Sequence, residues 1–306
     1  CPTTLLRAHI EDPAAADPLW RHMRDFAALG DGPLTDLCVF LEETGYVAAP
    51  GPFFPTVALF APVLATAGHE LLAPALAGEI TGTVAVAGAD GVWEPNEDSV
   101  KTFVPDADRV DWVAVVSTGP TVTLVQSPKT RPVATVDFSR RFFEVDAGPG
   151  AAPAQSVDAE AFQSVRERAT IALAAEMVGT ARRLFDMALA YAKERVQFDV
   201  PIGSFQAIQH KLAEMALDLE RATSAVAYAA MAVDAKDADR HRAAHVAKAA
   251  AGAAATRAAK DGIQIHGGIG YTWEHDLHLF IRHAYGSEAC LGTSAWHHDR
   301  LADLLF

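Results

Sequence analysis

The stretch 195–206 combines a cationic side chain with aromatic and amide groups where a long predicted helix ends. Arg195 stands beside a turn, and Phe205 and Gln206 begin the next helical run. A guanidinium at a helix end could bind an anion, but a solvated surface charge is the more frequent role of such a residue. The spacing alone leaves both interpretations open.

A second candidate segment, residues 264–271, places Gln264 before the paired Gly267 and Gly268. Glycines after a long helix commonly form only a C-cap. Alternatively, bare glycine backbone lets a ligand approach closely, with N–H groups available to an anion or a purine edge. This segment does not decide between the two meanings by itself.

The elements that must position these segments change character twice along the chain. Residues 1–77 show helical spacing interrupted by proline and glycine at 50–55, which indicates a helical domain with a bend. Residues 78–146 hold short runs rich in β-branched side chains, so we predict a small β domain with one strand over 133–138. Residues 147–155, rich in Ala, Gly and Pro, are predicted to be a linker.

Residues 156–306 are predicted to be almost entirely helical, because apolar side chains recur at intervals of three and four. Strands grouped between helical blocks exclude an alternating βαβ sheet. The fold class is therefore predicted to be α+β, with an N-terminal helical domain, a small middle β domain and a C-terminal four-helix bundle. The bundle helices are expected at residues 159–198, 204–234, 237–266 and 275–305.

Composition narrows the possible partners. The chain has 306 residues, half of them hydrophobic, and this composition excludes a disordered chain. Its net charge of −14 disfavours nucleic acid and anionic membranes as binding partners. Cys1, Cys38 and Cys290 show neither zinc nor CxxC spacing, and the C-terminal histidines lack a convincing ligand set, so we expect no disulfide and no metal. We expect a cytoplasmic protein without signal peptide or membrane helix.

Taken together, in this order and about 70 residues apart, the two segments resemble the C-terminal bundle of the flavin-dependent acyl-CoA dehydrogenases. That family carries Arg-x-x-Phe-Gly followed by Phe-Gln, and later Gln-x-x-Gly-Gly-x-Gly. Asp199 stands where the first element ends in glycine. The matching residues in this chain are Arg195, Phe198, Phe205, Gln206, Gln264, Gly267, Gly268 and Gly270.

The resemblance implies an FAD at a subunit interface. One subunit supplies the base, the flavin contacts of the β domain and the acyl pocket, while its neighbour lends the Arg and the Gln-x-x-Gly-Gly to the pyrophosphate and adenosine. The reaction implied is α,β-dehydrogenation of an acyl-CoA thioester, with electrons passing to an electron-transferring flavoprotein. The residues expected to contact FAD are Arg195, Gln197, Phe198, Phe205, Gln206, Gln264, His266, Gly267 and Gly268.

The resemblance also exposes what this chain lacks. The two positions at which the family places its catalytic Glu hold Leu291 and Ala169, neither of which can accept a proton. The flavin-contacting Thr-Glu-Pro is absent from residues 83–88. The second flavin contact, usually Trp-Ile-Thr after a Lys, appears as residues 101–105, where Pro105 has no N–H to donate to the flavin. We therefore expect no catalytic residue in this chain.

This pattern resembles the smaller, non-catalytic subunit of the actinobacterial α2β2 acyl-CoA dehydrogenases, several of which act on CoA thioesters of steroid side chains. A catalytic paralogue would then be the partner, and it would bind most of the acyl-CoA. Two alternatives stay open at this point. One is a self-sufficient homomeric dehydrogenase with a relocated base such as Glu176 or Glu288, and the other is a flavin-free structural paralogue.

Overall fold

The computed structural model of this chain describes residues 2–146, 148 and 155–306. The predicted linker, residues 147–155, lies outside the described residues apart from Gly148 and Gln155. Within the described part, no helix is long and apolar enough to cross a bilayer.

The N-terminal part is helical, and proline and glycine interrupt it as the sequence predicts. A π-helical segment, Pro55–Phe60, follows the bend and continues directly into a helix. The helices are α1 (Thr3–Glu11), α2 (Asp17–Met23), α3 (Leu34–Tyr46), α4 (Ala61–Ala67) and α5 (Leu72–Leu76).

The middle of the chain forms two small sheets. Their strands are β1 (Gly82–Ala85), β2 (Val100–Pro105), β3 (Trp112–Ser117), β4 (Thr121–Gln126), β5 (Lys129–Val133), β6 (Phe142–Asp146) and β7 (Gln155–Ser156). One sheet has the order β1-β3-β4-β7 and the other β2-β6-β5. β1 and β3 are parallel, and the other described pairs in these sheets are antiparallel. Apolar residues of both sheets, including Val104, Val113 and Phe143, share one buried cluster.

The strand predicted at 133–138 is wrong, because β5 ends at Val133. The chain beyond it turns inward so that Asp137 and Ser139 reach His283, with Asp137 Oδ2 and Ser139 Oγ at 2.9 and 2.8 Å from His283 Nδ1. A buried polar partner far along the chain therefore decides the path of these residues, and local β-propensity does not report such a partner.

The C-terminal part contains α6 (Ala159–Glu194), α7 (Gln206–Asp234), α8 (Arg240–His266), α9 (Leu277–Ala289) and α10 (Ser294–Leu305). A small hairpin of β8 (Val196–Gln197) and β9 (Val200–Pro201) connects α6 to α7. The single helix predicted over 275–305 is in fact α9 and α10. Leu291 and Gly292 separate them with φ angles of 56° and 95°, which no α-helix accommodates.

The N-terminal helices dock on the bundle through a close approach of α3 and α6. A Cβ added at Gly45 would lie 1.9 Å from the Glu176 carbonyl oxygen, and one added at Gly179 would lie 1.8 Å from the Glu42 carbonyl oxygen. Only glycine fits at either place, so the two backbones can touch. The Thr180 hydroxyl donates to the Gly45 carbonyl at 3.1 Å across the same contact.

Candidate functional site

The loop between α9 and α10 carries Leu291, and buried polar contacts hold its backbone. The ammonium of Lys248, fully buried on α8, donates to the carbonyls of Glu288 and Gly292 at 3.0 and 2.9 Å. His297 Nε2 lies 3.0 Å from the Leu291 carbonyl, to which it donates. Burial lowers the pKa of Lys248 to about 8. These contacts hold the backbone of the loop, and the Leu291 side chain packs against the apolar core beside it.

Leu291 lines a cavity of about 350 Å³, the Leu291 cavity, between the bundle and the β region. Ala87, Phe103 and Pro105 line it from the β side. The fold therefore gathers the positions that the resemblance assigns to the base and to the flavin contacts around one cavity. Here these four side chains are apolar, so the cavity offers no acid or base at any of these positions.

Asp90 is the one residue with a carboxylate among the described residues that line the Leu291 cavity. Asp90 lies on an exposed turn, where its carboxylate accepts from the Val92 amide at 3.0 Å. Ala169, the second position at which the family carries its base, lines none of the described cavities. It is fully buried against Phe162 and Val165.

Glu176 is not in a position to act as a relocated base. It is buried beneath the cavity, where one oxygen accepts from Arg140 and the other lies 3.8 Å from His283 Nε2. Arg140 lines the Leu291 cavity and stacks on Phe54, with its guanidinium carbon 5.1 Å from the ring centroid. Burial opposes the charged form of Arg140, but the neighbouring groups, Glu176 first among them and Asp137 as well, together outweigh burial and raise the pKa of Arg140. Glu176 is thus the counterion of a buried arginine.

Asp137 completes this buried cluster. Burial would raise the pKa of its carboxyl, but the charge and hydrogen bond of His283 lower that pKa to about 2.

Glu288, the other candidate base, is used locally, since its carboxylate accepts from the Ser294 amide at 2.7 Å. It therefore caps the start of α10 and does not line the Leu291 cavity.

A second cavity of about 250 Å³ adjoins Leu291, and the sequence analysis missed it. Glu167, His241, His245 and His297 line it. His241 Nδ1 lies 3.2 Å from Glu167 Oε1, and the Nδ1 atoms of His245 and His297 are 2.7 Å apart. The spacing of His241 and His245, four apart on one helix, is the signal that could have revealed the pair. No group of three metal-ligating side chains occurs in the described residues.

At the α6–α7 connection, the hairpin presents the first predicted FAD segment to solvent. Phe198 and Asp199 form its two-residue turn at φ 54° and 63°, and the Phe198 side chain is 89% exposed. Such a turn normally holds Asn-Gly or Asp-Gly, because side chains other than Gly, Asn and Asp resist positive φ. Within the described chain, the ring contact of Phe198 is an edge-on one with Phe205, with centroids 6.2 Å apart.

Replacing Asp199 by glycine should relieve the turn. We expect Asp199→Gly to raise the free energy of unfolding by about 0.5 to 1 kcal/mol, because glycine adopts positive φ without steric cost. Urea unfolding followed by circular dichroism measures the change. The same replacement at the exposed Asp36, in the first turn of α3, should instead lower that free energy by about 0.5 to 1 kcal/mol, because glycine is the poorer helix former and the favourable negative charge at the helix start is lost. A lower free energy of unfolding for Asp199→Gly would contradict the positive φ angle of Asp199 in the turn.

The second predicted segment lies at the same end of the bundle. The ring of His266, at the end of α8, stacks on the ring of Tyr191, near the end of α6, with centroids 4.4 Å apart. His266 is buried, and its Nδ1 lies 2.8 Å from the Gly262 carbonyl. The structure thus turns His266 into the bundle, whereas Gln264, Gly267 and Gly268 are exposed beside it. We call the two segments, residues 195–206 and 264–271, the bundle end.

Gly267 and Gly268 have open space where a side chain would be. A Cβ built on either residue meets no atom of this chain within 4 Å. Gly267 needs to be glycine for its φ of 63° and ψ of −142°, but Gly268 has no such reason within the chain. Contact with a group from outside the chain would supply one.

The bundle end also exposes large apolar side chains. Phe198 and Tyr271 are 89 and 74% exposed, and Ile269 is 43% exposed. Monomeric proteins rarely leave such a cluster uncovered. Polar groups lie among these side chains, since Arg195, Gln197, Gln206 and Gln264 are exposed in the same two segments. The arrangement fits a surface where another subunit and a polar ligand meet.

Comparison with known proteins identifies the family. The family model for the acyl-CoA dehydrogenase C-terminal domain matches residues 161–306. The acyl-CoA dehydrogenase IpdE2 of Mycolicibacterium smegmatis is 32% identical over 300 residues, which cover 94% of this chain and 88% of that protein. This chain belongs to the acyl-CoA dehydrogenase family. The resemblance seen in the sequence is thereby confirmed, together with the predicted fold class.

Solved structures of the family agree. The Tcur3481-Tcur3483 steroid ACAD is 26% identical, with a TM-score of 0.86 over 98% of this chain and 91% of that chain. The ChsE4-ChsE5 complex of Mycobacterium tuberculosis is 24% identical, with a TM-score of 0.84 over 99% and 94%, and it supports the fold. The acyl-CoA dehydrogenase fold therefore extends over nearly the whole chain, including the part that the family model does not match.

Proposed function

We propose that this chain is the non-catalytic subunit of a heteromeric acyl-CoA dehydrogenase and lends its bundle end to an FAD whose reactive ring lies in a paralogous partner. The observation that carries the proposal is the contrast between the two sites. The bundle end exposes Arg195, Gln206 and Gln264, whereas Leu291 and Pro105 line the chain's own cavity. The similar steroid ACAD, Tcur3481-Tcur3483, pairs two proteins, which supports a paralogue as the partner.

The length of α6 supports the assignment of the bundle end to another subunit's site. Leu173 lines the Leu291 cavity, and Arg195 caps the far end of the same helix. At 1.5 Å per residue the two are about 33 Å apart along the helix, which exceeds the length of an extended dinucleotide. One FAD could not place its ring in the Leu291 cavity and its pyrophosphate on Arg195 of the same chain.

The residues of the bundle end fit the nucleotide half of FAD. Arg195 offers a fork of N–H donors to the pyrophosphate, and Gln206 and Gln264 offer amides to polar edges of the cofactor. Open backbone at Gly267 and Gly268 permits a close approach. His266 would act indirectly, since its ring packs on Tyr191 and supports the start of the glycine segment.

The Leu291 cavity does not fit the reactive half. Leu291 provides no base, and Pro105 provides no N–H donor. In the proposed complex the partner supplies the carboxylate that removes the proton beside the thioester, and FAD, when bound, accepts the hydride. This chain binds and orients the cofactor. The substrate class proposed is acyl-CoA thioesters, with steroid side-chain esters first among them, and an electron-transferring flavoprotein is the proposed acceptor.

Co-expression with candidate paralogues tests the proposal. We expect the lone chain to be colourless and inactive, and the complex to hold one FAD per pair of unlike chains and to oxidise acyl-CoA. Visible absorbance measures the bound flavin, protein quantification gives the ratio of FAD to protein, and a dye-reduction assay measures acyl-CoA oxidation. Asp90→Asn and Glu288→Gln in this chain should leave the activity of the complex unchanged. Robust oxidation by the lone chain would falsify the proposal and favour a self-sufficient homomer, whereas colourless protein in every assembly would favour a structural paralogue.

Gly268→Ala separates ligand binding from folding. We expect the free energy of unfolding to change by less than about 0.5 kcal/mol, because the new methyl meets no atom of this chain. FAD retention by the complex should nevertheless fall, measured as the flavin remaining after gel filtration. Gly32→Ala is the matched control, since its Cβ would make ordinary contacts at 3.6 Å in a loop remote from the bundle end. Equal FAD retention in both variants would contradict the role of Gly268.

A further inference from the structure

A third cavity, of about 370 Å³, lies between the N-terminal helices and the β region, away from Leu291 and the bundle end. We call it the acidic cavity. Its described lining contains four carboxylates but one arginine, Arg109. The other titratable and aromatic side chains of this lining are His9, Asp17, Trp20, Asp106, Asp108 and Asp111.

His9 supplies an unused acceptor to the acidic cavity. Its side chain is 2% exposed, and its Nδ1 lies 3.2 Å from the Pro13 carbonyl. A carbonyl only accepts, so Nδ1 carries the proton and Nε2 keeps a lone pair. Nε2 is buried and has no hydrogen-bond partner in the described chain. Burial also lowers the pKa of His9, which keeps the ring neutral near pH 7. A buried acceptor without a donor is costly unless something else donates to it.

Asp106 supplies a second unused acceptor. It is 3% exposed, and no side chain or amide in the described chain donates to its carboxyl. Its backbone is held at φ 51°, while its amide and carbonyl bond to Arg141 and Arg109. The fold thus keeps a carboxyl at the cavity in a conformation that costs energy. Such strain persists only where the surrounding structure imposes it.

The remaining carboxylates are engaged but add negative charge. Asp17 pairs with Arg109, Asp108 pairs with Arg141 at 2.6 Å, and Asp111 accepts from the Thr81 amide at 2.7 Å. Each carboxylate has more lone pairs than these contacts use. Acceptors therefore outnumber donors in the acidic cavity, and its net charge is negative.

We propose that the acidic cavity binds a small organic cation through a primary ammonium that donates to Asp106 and His9, with Trp20 beside its carbon chain. An ammonium has three N–H donors and no acceptor, which is the complement of this lining. An indole is also a favourable neighbour for such a cation. A divalent metal is a poorer match, since no three metal-ligating side chains converge in the described residues.

Titration with propylammonium chloride tests the proposal. The sample is the purified protein together with any subunit that co-purifies with it, and binding is followed by calorimetry and by melting temperature. We expect saturable binding and a rise in melting temperature. Tetramethylammonium chloride at the same ionic strength should give neither, because it has no N–H. Equal responses to both salts, or a response to MnCl₂ instead, would overturn the proposal.

Variants locate the site. Asp106→Asn should weaken propylammonium binding at least tenfold. Asp25→Asn is the control and should not change this binding, because the Asp25 side chain lies outside the cavity and is 84% exposed. His9→Phe removes the Nε2 acceptor while keeping an aromatic ring, and it tests the site independently if Asp106→Asn fails to fold. Unchanged binding in either folded cavity variant would refute the assignment.

Binding should also depend on pH. Burial raises the pKa of Asp106 to about 7, against the effect of Arg140 and Arg141 and with that of Asp108 and Asp137. Asp17, Asp111, Arg109 and a neutral His9 complete its charged and titratable surroundings. The ionised carboxylate binds the cation, so the affinity for propylammonium should rise about tenfold from pH 6 to pH 8. Affinity that falls over this range would contradict the role of Asp106.

Discussion

Arg195→Ala in the assembled heteromer should lower its affinity for FAD about 10- to 100-fold. A guanidinium on a phosphate forms charge-assisted hydrogen bonds worth about 1.5 to 3 kcal/mol, and each 1.4 kcal/mol is a factor of ten. Arg195 is exposed and makes no side-chain hydrogen bond or ion pair within the described chain. Its loss should therefore leave folding and assembly intact. Fluorescence titration of the apo-complex with FAD measures the affinity, and gel filtration checks assembly.

Arg221→Ala is the matched control for Arg195. Arg221 is an arginine of α7 whose side chain is 73% exposed, and its described partner is Asp218 on its own helix. This variant should bind FAD as tightly as the unmodified complex. If both variants lose FAD equally, the loss reflects net charge and not a contact at the bundle end. If Arg195→Ala loses none, the nucleotide is held elsewhere and the proposed function fails.

Glu176→Gln should lower the free energy of unfolding by about 3 kcal/mol. Removing one partner of a buried ion pair leaves the other charge without compensation, and such changes commonly cost 3 to 5 kcal/mol. Arg140 is 8% exposed and Glu176 2%, so solvent cannot replace the lost charge. Asp137 stays near Arg140 and softens the effect, which places our expectation at the lower limit. Urea unfolding at pH 7 measures it.

The same variant separates a structural role for Glu176 from a catalytic one. We expect the complex that still assembles to keep its kcat, because the base belongs to the partner in the proposed function. A relocated base would give the opposite result, a loss of several orders of magnitude in kcat whatever the stability. Glu288→Gln is the control, since glutamine can still accept from the Ser294 amide. It should change neither stability nor kcat appreciably.

The sequence was most informative where short segments carry their meaning locally. The helical and β-rich blocks followed from periodicity and composition, and the family from two motifs around Arg195 and Gly267. It was less informative where a residue's neighbours come from distant positions. Residues 134–138 leave the sheet because Asp137 meets His283, and His266 turns inward because Tyr191 offers a stacking face.

The amino-acid sequence by itself determined that this acyl-CoA dehydrogenase family member has no proton acceptor at positions 291 and 169. The residues there are Leu291 and Ala169, and their side chains cannot accept a proton in any conformation. Only the tertiary structure decided the state of the remaining groups. It paired Glu176 with Arg140, left Gly268 facing open space, and kept His9 Nε2 without a donor beside the acidic cavity. The physical reason is that burial and hydrogen-bond partnership depend on residues far apart in the chain, which periodicity and motif spacing do not encode.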